Sequence, residues 1–296
     1  MYIGLDIGGT KMLGGAFEKN KLLRTLKIKT PNDTTAEAIT VHILALIKDL
    51  AKDTPIEGVG IGIPGSIDRA SGTIGFSPNL PFKNFALKTV LAETLKCPIA
   101  IDNDVNVGLL GEHWAGAAKP YKNVVGLFVG TGIGGAIILN GQLYHGQHQI
   151  AGEVGHMKLK LDGPLCNCGE KGCLEALASK TGIQKMLEPL GYKFEGVVKS
   201  SWIKDQLDKD NKDVKAAMKR ATLALGEGIG SLANLLDPEA FILGGGMIEA
   251  LGESWLKRIK DQVKLRSLVE PVIKASALGD HALLYGAVRL VHLTLS

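Results

Sequence analysis

Aromatic residues, cysteines and long apolar runs are all scarce in this sequence. Only 5% of its 296 residues are aromatic. The four cysteines are too few for the disulfide framework of a secreted domain. Gly, Pro or a charged residue interrupts every apolar run before it reaches the length of a membrane span. The N-terminus lacks the basic and apolar regions of a signal peptide. We therefore expect a cytoplasmic protein with no membrane partner.

A strong charge of one sign is also missing. The formal net charge is +4, and lysines such as Lys209, Lys212, Lys215 and Lys219 are scattered along amphipathic stretches. This pattern predicts a solvated helix face and no nucleic-acid partner. Glycine, in contrast, is abundant, and its 38 residues cluster in loops between apolar strands. Such loops are typical of proteins that bind phosphates or nucleotides through the backbone.

The first part of the chain predicts an α/β domain. Short apolar runs indicate strands, and apolar residues spaced three or four positions apart indicate helices. The predicted strands are 2–7, 12–17, 22–29, 58–63 and 99–101. The predicted helices are 35–53, 86–95 and 105–114.

The second part of the chain repeats this pattern, which predicts a duplicated domain. Its predicted strands are 124–129, 136–139, 142–144 and 240–243, with a long interrupted helical stretch at 183–236. A last helix at 281–295 is expected to pack on the first domain. The predicted boundaries are therefore 1–115 plus the C-terminal helix at about 281–296, and 116–280 for the second α/β domain.

Three glycine loops follow predicted strands and are candidates for phosphate binding. They are Asp6-Ile-Gly8-Gly9-Thr10-Lys11, Gly130-Thr131-Gly132-Ile133-Gly134-Gly135 and Gly244-Gly245-Gly246. Consecutive backbone N–H groups form concave anion sites, and a helix after the third loop would add a helix N-terminus. Each loop alone also fits an ordinary turn, whereas three such loops after strands favour a nucleotide site.

Two common nucleotide-binding motifs are excluded. Gly130, Gly132 and Gly135 satisfy G-x-G-x-x-G, but a strand and a hairpin follow them where a dinucleotide-binding fold requires a helix. No loop closes with Gly-Lys-Ser or Gly-Lys-Thr, so the chain is not a Walker-type protein.

The most specific motif joins His156 to Cys166, Cys168 and Cys173. Three thiols and one imidazole complete a tetrahedral zinc site with no open position, which is the pattern of a structural metal. The alternative is a disulfide with stray thiols, which Cys-x-Cys spacing disfavours because it is too tight for disulfide geometry. A loop folded on a metal would bring Glu153, His156 and Glu175 together as recognition groups for sugar hydroxyls.

Together the three glycine loops, Asn103-Asp104, Glu153-x-Gly-His156 and the Cys166–Glu175 run resemble the ROK family of sugar kinases, in particular its bacterial-type glucokinases. The resemblance covers essentially the whole chain. It implies the actin-like ATPase (ribonuclease H-like) fold, in which two duplicated α/β domains flank a cleft. It also implies that the first two loops hold the phosphates of ATP, that the third lies beside the adenosine, and that the protein is a homodimer.

The resemblance and the residues together predict phosphorylation of a hexose at O6, with glucose first. Asp104 is the candidate general base and matches the family's base, although Asp104 or Asp102 could instead be a helix N-cap. Asp6 is predicted to hold a hydrated Mg²⁺, and Lys11 is either a phosphate ligand or a solvated charge. The predicted ATP-binding residues are Asp6, Gly8, Gly9, Thr10, Lys11, Gly130, Thr131, Gly132, Gly134, Gly244, Gly245 and Gly246. The predicted sugar-binding residues are Gly65, Asn79, Asn103, Asp104, Glu153, His156 and Glu175, of which Gly65 and Asn79 rest on the resemblance.

Several alternatives remain at this point. The hexose could be fructose, mannose, allose, N-acetylmannosamine or N-acetylglucosamine. A sugar-responsive repressor is the second class of function, because such repressors share the family's fold, but they carry a DNA-binding domain before a first strand that here begins at Tyr2. A zinc-ribbon nucleic-acid protein is disfavoured by the lack of a second metal pair. His113, His145 and His148 are interpreted as surface or packing residues, although His145 and His148 lie near the predicted sugar-binding loop.

Overall fold

A computed structural model describes residues 1–32 and 35–295, which divide into two compact units. The first unit comprises Met1–Pro120, His145–Ala151 and Asp280–Ser296, and the second comprises Tyr121–Tyr144 and Gly152–Gly279. The predicted second domain included the segment His145–Ala151, which instead packs with the first unit. Position 296, the end of the predicted last helix, lies outside the described residues.

The elements are numbered here in chain order. The strands are β1 (Tyr2–Ile7), β2 (Lys11–Glu18), β3 (Lys21–Lys29), β4 (Gly58–Ile63), β5 (Ser66–Asp68), β6 (Thr73–Phe76), β7 (Lys83–Phe85), β8 (Ile99–Asn103), β9 (Val124–Val129), β10 (Ile133–Leu139), β11 (Gln142–Leu143), β12 (Ala240–Gly244) and β13 (Val272–Ala275). The helices are α1 (Ala36–Ala51), α2 (Leu87–Leu95), α3 (Asp104–Ala115), α4 (Leu174–Ala178), α5 (Lys180–Leu187), α6 (Ser200–Asp208), α7 (Lys212–Leu236), α8 (Gly246–Lys264) and α9 (Ala282–Leu295).

The first unit is built on a five-stranded sheet with the order β3-β2-β1-β4-β8. Strands β1, β4 and β8 are parallel, whereas β2 and β3 join through antiparallel pairs. Helix α1 begins where Thr35 accepts a hydrogen bond from the N–H of Ala38 at 3.2 Å, and it buries Ile39, Ile43 and Leu50. The helix follows its predicted range closely because capping and periodicity agree.

The second unit repeats the same architecture. Its sheet has the order β11-β10-β9-β12-β13, with β9, β12 and β13 parallel and β10 antiparallel to β9. The two sheets therefore match strand for strand, as the duplication in the sequence predicted. Helices α7 and α8 pack together and cover this sheet with a core that includes Leu225, Ile229 and Ile259.

Strand β10 begins earlier than predicted, at Ile133. Gly134 and Gly135 are therefore strand residues, paired with Phe128 and Leu127, and the turn is confined to Gly130–Gly132. A side chain at Gly135 would meet the carbonyl oxygen of Gly152 at 2.6 Å. This glycine thus allows a neighbouring segment to approach the strand closely.

A small three-stranded sheet, β5-β6-β7, was not predicted. Its strands are three or four residues long, which is too short to show a periodic pattern. Helix α9 packs against α3, where Gly111 lies against the carbonyl oxygen of Ala282 and Gly286 against that of Val107. None of the helices in residues 1–32 and 35–295 is long and apolar enough to cross a membrane.

Candidate active site

The carboxyl ends of β1, β4 and β8 carry the predicted residues of the first unit. Asp6 is the next-to-last residue of β1, Gly65 follows β4 by two residues, and Asn103 ends β8. Because these strands are parallel and adjacent, their carboxyl ends meet at one edge of the sheet, where α/β proteins place ligands. The fold therefore brings residues that are far apart in sequence to one edge.

Asp6 and Asp104 interact electrostatically at this edge. Burial, together with the charge of Asp104, raises the pKa of Asp6 to about 7, although the charge of Lys11 acts in the opposite direction. Two carboxylates whose charges repel are stabilised by a cation, which favours Mg²⁺ at this position.

The first glycine loop is a tight turn between β1 and β2. The N–H of Gly8 donates to the carbonyl of Lys11 at 3.0 Å, and the hydroxyl of Thr30 donates to the carbonyl of Gly8 at 2.6 Å. Lys11 forms an ion pair with Asp280, with 2.9 Å between Nζ and Oδ2. The sequence predicted Lys11 as a phosphate ligand or a solvated charge, and neither prediction included this partner, because Asp280 lies 269 residues away in the sequence.

Two predicted sugar-binding residues contact predicted neighbours in the first unit. A Cβ placed on Gly9 would lie 2.6 Å from both Cβ and the carbonyl oxygen of Asn79, so the first glycine loop packs directly on the Asn79 segment. Gly65 has φ +124° and lies against the backbone of Phe76, a conformation that strongly favours glycine. Its carbonyl accepts a hydrogen bond from the side-chain amide of Asn103 at 3.4 Å.

Asn103 is the N-cap of α3. Its side-chain oxygen accepts from the N–H of Val105 at 2.9 Å, and Asp104 is the first helical residue. The alternative in which Asp104 or Asp102 caps the helix is therefore wrong. Oδ1 of Asp104 also accepts from the N–H of Val105 at 3.0 Å, which orients the carboxylate at the helix N-terminus.

Asp102 is the centre of a buried polar cluster that the sequence did not reveal. Its side chain is 2% exposed and is paired with His145 and Arg69. Burial alone would raise the pKa of Asp102, but the hydrogen bond from His145, followed by the charge of Arg69 and the hydrogen bond from Asn106, holds it below its ordinary value. Of the two interpretations of His145, the surface one is wrong, because its side chain is 11% exposed and lies within this cluster.

In the second unit, Glu175 is bound to the second glycine loop. Its Oε2 accepts from the N–H of Ile133 at 2.9 Å, and a Cβ on Gly132 would collide with the same oxygen. The carbonyls of Gly130 and Thr131 accept from the N–H groups of Lys180 and Thr181 at the start of α5. The loop is thus held from two sides, and Glu175 contacts it directly.

The four predicted metal ligands form one cluster. The donor atoms of His156, Cys166, Cys168 and Cys173 all lie within 4.8 Å of one another. The sulfurs of Cys168 and Cys173 are 3.8 Å apart, and Nδ1 of His156 is 3.9 Å from the sulfur of Cys166. Sulfurs about 2.3 Å from a tetrahedral zinc would be roughly 3.8 Å apart, so this donor set fits the ion.

The chemistry of the cluster also fits a cation. Burial raises the pKa of Cys166 to about 12, so the protein alone does not stabilise a thiolate there. All four cysteines are free, which leaves no disulfide among the described residues. Oε1 of Glu175 lies 3.7 Å from the Cys166 sulfur and thereby links the cluster to the second glycine loop.

The remaining predicted residues of the second unit lie at two further positions. His156 turns Nδ1 toward the cysteines and Nε2 toward Glu153, 4.0 Å from its Oε2, and both side chains are exposed. The third glycine loop joins β12 to α8, with Gly245 at φ +87° as the N-cap and packed on the backbone of Val129. Gly246 opens the helix, so the predicted helix N-terminus is present.

The cavities of the second unit differ in their position. A small one of about 10 Å³ lies beside the sulfur cluster and is lined by Cys166 and Glu175. One of about 570 Å³ lies among α6, α7 and α8 and contains none of the predicted site residues. Another, of about 210 Å³, is lined by Gly244, Ile248 and Ser276 beside the third glycine loop. We consider the cavity of about 210 Å³ more relevant to ligand binding, because it adjoins a glycine loop at a helix N-terminus.

Residues 2–294 match the ROK family. This chain belongs to that family. A glucokinase of Halalkalibacterium halodurans is 34% identical over 285 residues, covering 90% of this chain and 86% of the relative. The solved ROK hexokinase of Thermus thermophilus is 29% identical, with a TM-score of 0.89 and coverage of 99% and 98% of the two chains. A ROK family glucokinase of Streptomyces griseus, solved with glucose and AMPPNP, is 31% identical, with a TM-score of 0.82 and 99% of each chain covered.

These similarities confirm the actin-like ATPase fold of this ROK protein. Within each unit the structure brings several predicted residues together: Asp6 with Asp104, Gly9 with Asn79, Gly65 with Asn103, and Glu175 with the second loop. Sequence reasoning missed Arg69 and His145 because their partner, Asp102, lies on a different element. A buried carboxylate at a strand end is the only local signal that could have pointed to them.

Proposed function

We propose that this ROK protein is an ATP-dependent hexokinase that transfers the γ-phosphate of ATP to O6 of a hexose, with glucose as the preferred substrate. The observation that carries the proposal is that the carboxylates of Asp104 and Asp6 lie close enough to interact electrostatically at the carboxyl edge of β1 and β8, beside a glycine loop. Similarity over the whole chain to a glucokinase solved with glucose and AMPPNP supports it.

Asp104 is the proposed general base. Phosphoryl transfer to a hydroxyl needs a group that orients the nucleophile and accepts its proton, and a carboxylate can do both. Asp104 is the first residue of α3, so its backbone is fixed by the cap at Asn103. Asn103, Gly65 and Asn79 are the proposed hexose contacts of the first unit.

The first glycine loop, Gly8 to Lys11, is the proposed binding site for ATP phosphates in the first unit. A bound Mg²⁺ would supply charge stabilisation to the phosphates, and Asp6 would hold it through water. Release of Asp280 would free Lys11 to bind a phosphate.

The second unit would contribute nucleotide and sugar contacts. Gly130, Thr131, Gly132 and Gly134 are proposed to bind phosphates, and Gly244–Gly246 to bind the adenosine side at the start of α8. Glu153, His156 and Glu175 are the proposed hydroxyl-binding groups. Because Nδ1 of His156 faces the cysteines, its Nε2 remains available to a hydroxyl.

A structural zinc ion bound by His156, Cys166, Cys168 and Cys173 is part of the proposal. It would fix the tautomer of His156 and the position of the loop that carries Glu175. Metal analysis of purified protein should find about one zinc per chain. A fully active protein without metal would refute this assignment.

The substrate experiment measures ADP release from ATP and Mg²⁺ with glucose, mannose, fructose, allose, N-acetylglucosamine and N-acetylmannosamine. Turnover should be highest with glucose, and Asp104→Asn should lose about 10²–10⁴-fold in kcat while hexose binding persists. Hexose binding without turnover on any sugar would instead support a regulatory protein. A higher kcat/KM for another hexose would change the substrate but not the reaction.

We also propose that the protein is a cytoplasmic homodimer. Light scattering after size-exclusion chromatography gives its mass in solution directly. A mass equal to the 31.4 kDa of one chain would exclude the dimer.

A further inference from the structure

The carboxylate of Asp102 accepts three hydrogen bonds and forms an ion pair with Arg69, and these partners come from three segments of the first unit. Oδ2 lies 2.8 Å from Nε2 of His145 and 2.9 Å from Nε of Arg69. Oδ1 accepts from the N–H of Asn103 at 2.7 Å and from the side-chain amide of Asn106 at 3.0 Å. A carboxylate that is 2% exposed depends on such partners, because an unpaired buried charge is strongly unfavourable.

The orientation of His145 follows from its second contact. Nδ1 lies 3.0 Å from Nη1 of Arg69, and a guanidinium carries donors only. Nδ1 must therefore accept, which leaves the ring proton on Nε2, where it is donated to Asp102. Arg69 thus fixes the tautomer that His145 needs to hold the carboxylate.

This cluster contacts the backbone at the proposed catalytic edge of the sheet. Asp102 holds the N–H of Asn103, the residue that caps α3 and immediately precedes Asp104. Arg69 follows β5, the strand that begins one residue after Gly65. The cluster therefore joins the junction that carries the base to the loop that carries a proposed hexose contact.

His145 itself comes from the segment His145–Ala151, whose sequence neighbours on both sides belong to the second unit. The segment is closed by a hydrogen bond from the N–H of Ala151 to the carbonyl of His145 at 3.0 Å. Only the His145 imidazole of this segment reaches Asp102 among the contacts of the described residues.

We infer that His145 is a positioning residue, which acts through Asp102 to hold Asn103 and Asp104 in the geometry needed for hexose binding and proton transfer. The inference rests on the proposed hexokinase function. It assigns His145 no contact with the substrate. Its effect should fall on the hexose side of the reaction and leave ATP binding unchanged, because in the described part of the first unit Asp102, Arg69 and His145 have no hydrogen bond or ion pair to the first glycine loop.

The test compares His145→Ala with the conservative His145→Gln, whose amide N–H can replace the Nε2 donor. In His145→Ala we expect kcat to fall by about 10- to 100-fold and the KM for glucose to rise, since a misplaced reactive group costs up to roughly 10²-fold. The KM for ATP should stay unchanged, and His145→Gln should recover most of the loss. His148→Ala is the matched control, because His148 is an exposed histidine of the same segment.

A purely structural role predicts a different result. It would lower the Tm of His145→Ala but leave kcat per folded molecule unchanged when rates are measured well below that Tm. It would also give the Gln variant no advantage in kcat. Either result would overturn the inference. If His145→Ala does not fold, Arg69→Gln tests the same cluster, and wild-type kinetics in that variant would overturn the inference as well.

Glucose binding by calorimetry, without nucleotide, separates this inference from the proposed function. If the wild-type chain binds glucose but phosphorylates no hexose, the hexokinase proposal fails and affinity decides the role of His145. Weaker binding in His145→Ala, restored in His145→Gln, supports positioning, and equal affinities contradict it. A wild-type chain that neither binds nor phosphorylates any hexose would overturn both.

Discussion

Replacement of Asp6 by Asn should make the folded protein more stable above neutral pH. Asp6 is largely buried in β1, and burial together with the charge of Asp104 raises its pKa from an ordinary value of 3.8 to about 7. Between these two values the folded state retains a proton that the unfolded state has lost. Stability contributed by the protonated carboxyl is thus complete below about pH 4 and is lost as the pH rises through 7.

The magnitude follows from the same two values. Each pKa unit corresponds to about 1.36 kcal/mol, so the limit is roughly 4 kcal/mol of unfolding free energy. Because Asp6 is not completely buried, solvent screens part of this effect, and we expect about 2–4 kcal/mol. Asn keeps the shape of the side chain and removes the charge, so the free energy of unfolding of Asp6→Asn should not show this decrease as the pH rises through 7.

The assay is urea unfolding followed by circular dichroism across this pH range, without nucleotide or Mg²⁺, together with NMR titration of the Asp6 carboxyl carbon. Asp49→Asn, on the exposed face of α1, is the matched control. Asp104→Asn should move the Asp6 titration to lower pH, since it removes one cause of the shift. An Asp6 titration midpoint near 4, or identical pH dependence in Asp6→Asn and wild type, would refute the reasoning.

Three further predictions concern the second unit and its packing. Gly132→Ala should destabilise the protein by about 1–3 kcal/mol in urea unfolding, because its Cβ would collide with the Glu175 carboxylate that is bound to the second glycine loop. Gly130→Ala is the control and should destabilise the protein less, because a Cβ there would have no neighbour within 4 Å. Thr222→Val should lower the free energy of unfolding by about 1–3 kcal/mol in the same measurement, because it removes the acceptor at 2.9 Å of the buried indole N–H of Trp255. Thr94→Val, at an exposed position of α2, should stay within about 0.5 kcal/mol of wild type. Removal of the proposed zinc by a strong chelator should lower the Tm by calorimetry and zinc should restore it, and an unchanged Tm would contradict a structural metal.

Local sequence patterns predicted every strand of the two main sheets except β13, because most strands and turns have a recognisable pattern within a few residues. The apolar runs of β1, β4 and β9 are bounded by glycine or charge, and α1 has both a capping threonine and a regular apolar stripe. The sulfur cluster was predictable for the same reason, since its cysteines lie within eight positions of one another and their chemistry is specific.

Long-range polar contacts were not predictable in this way. His145 pairs with Asp102 across 43 positions, and Glu175 reaches the N–H of Ile133 across 42. A histidine in a glycine-rich loop has no periodic partner in sequence, so its default interpretation is a surface residue. Register also escaped prediction at β10, because Gly134 and Gly135 look like turn residues although they pair in the sheet.

One type of contact, a carboxylate that accepts a hydrogen bond from a backbone N–H, recurs in both units. In each case a carboxylate accepts a hydrogen bond from a backbone N–H at a proposed substrate-binding segment: Asp102 from its neighbour Asn103, and Glu175 from Ile133, which lies 42 positions away. Glycine permits the turn but supplies no rigidity, because it loses more conformational entropy on folding than other residues. A charge-assisted hydrogen bond supplies that rigidity at a fixed point, and it needs only one side chain. Positioning of these segments therefore depends on side chains that lie outside the glycine motifs. Substitutions at His145 and Glu175 should for this reason reduce catalytic activity more than they reduce the stability of the fold.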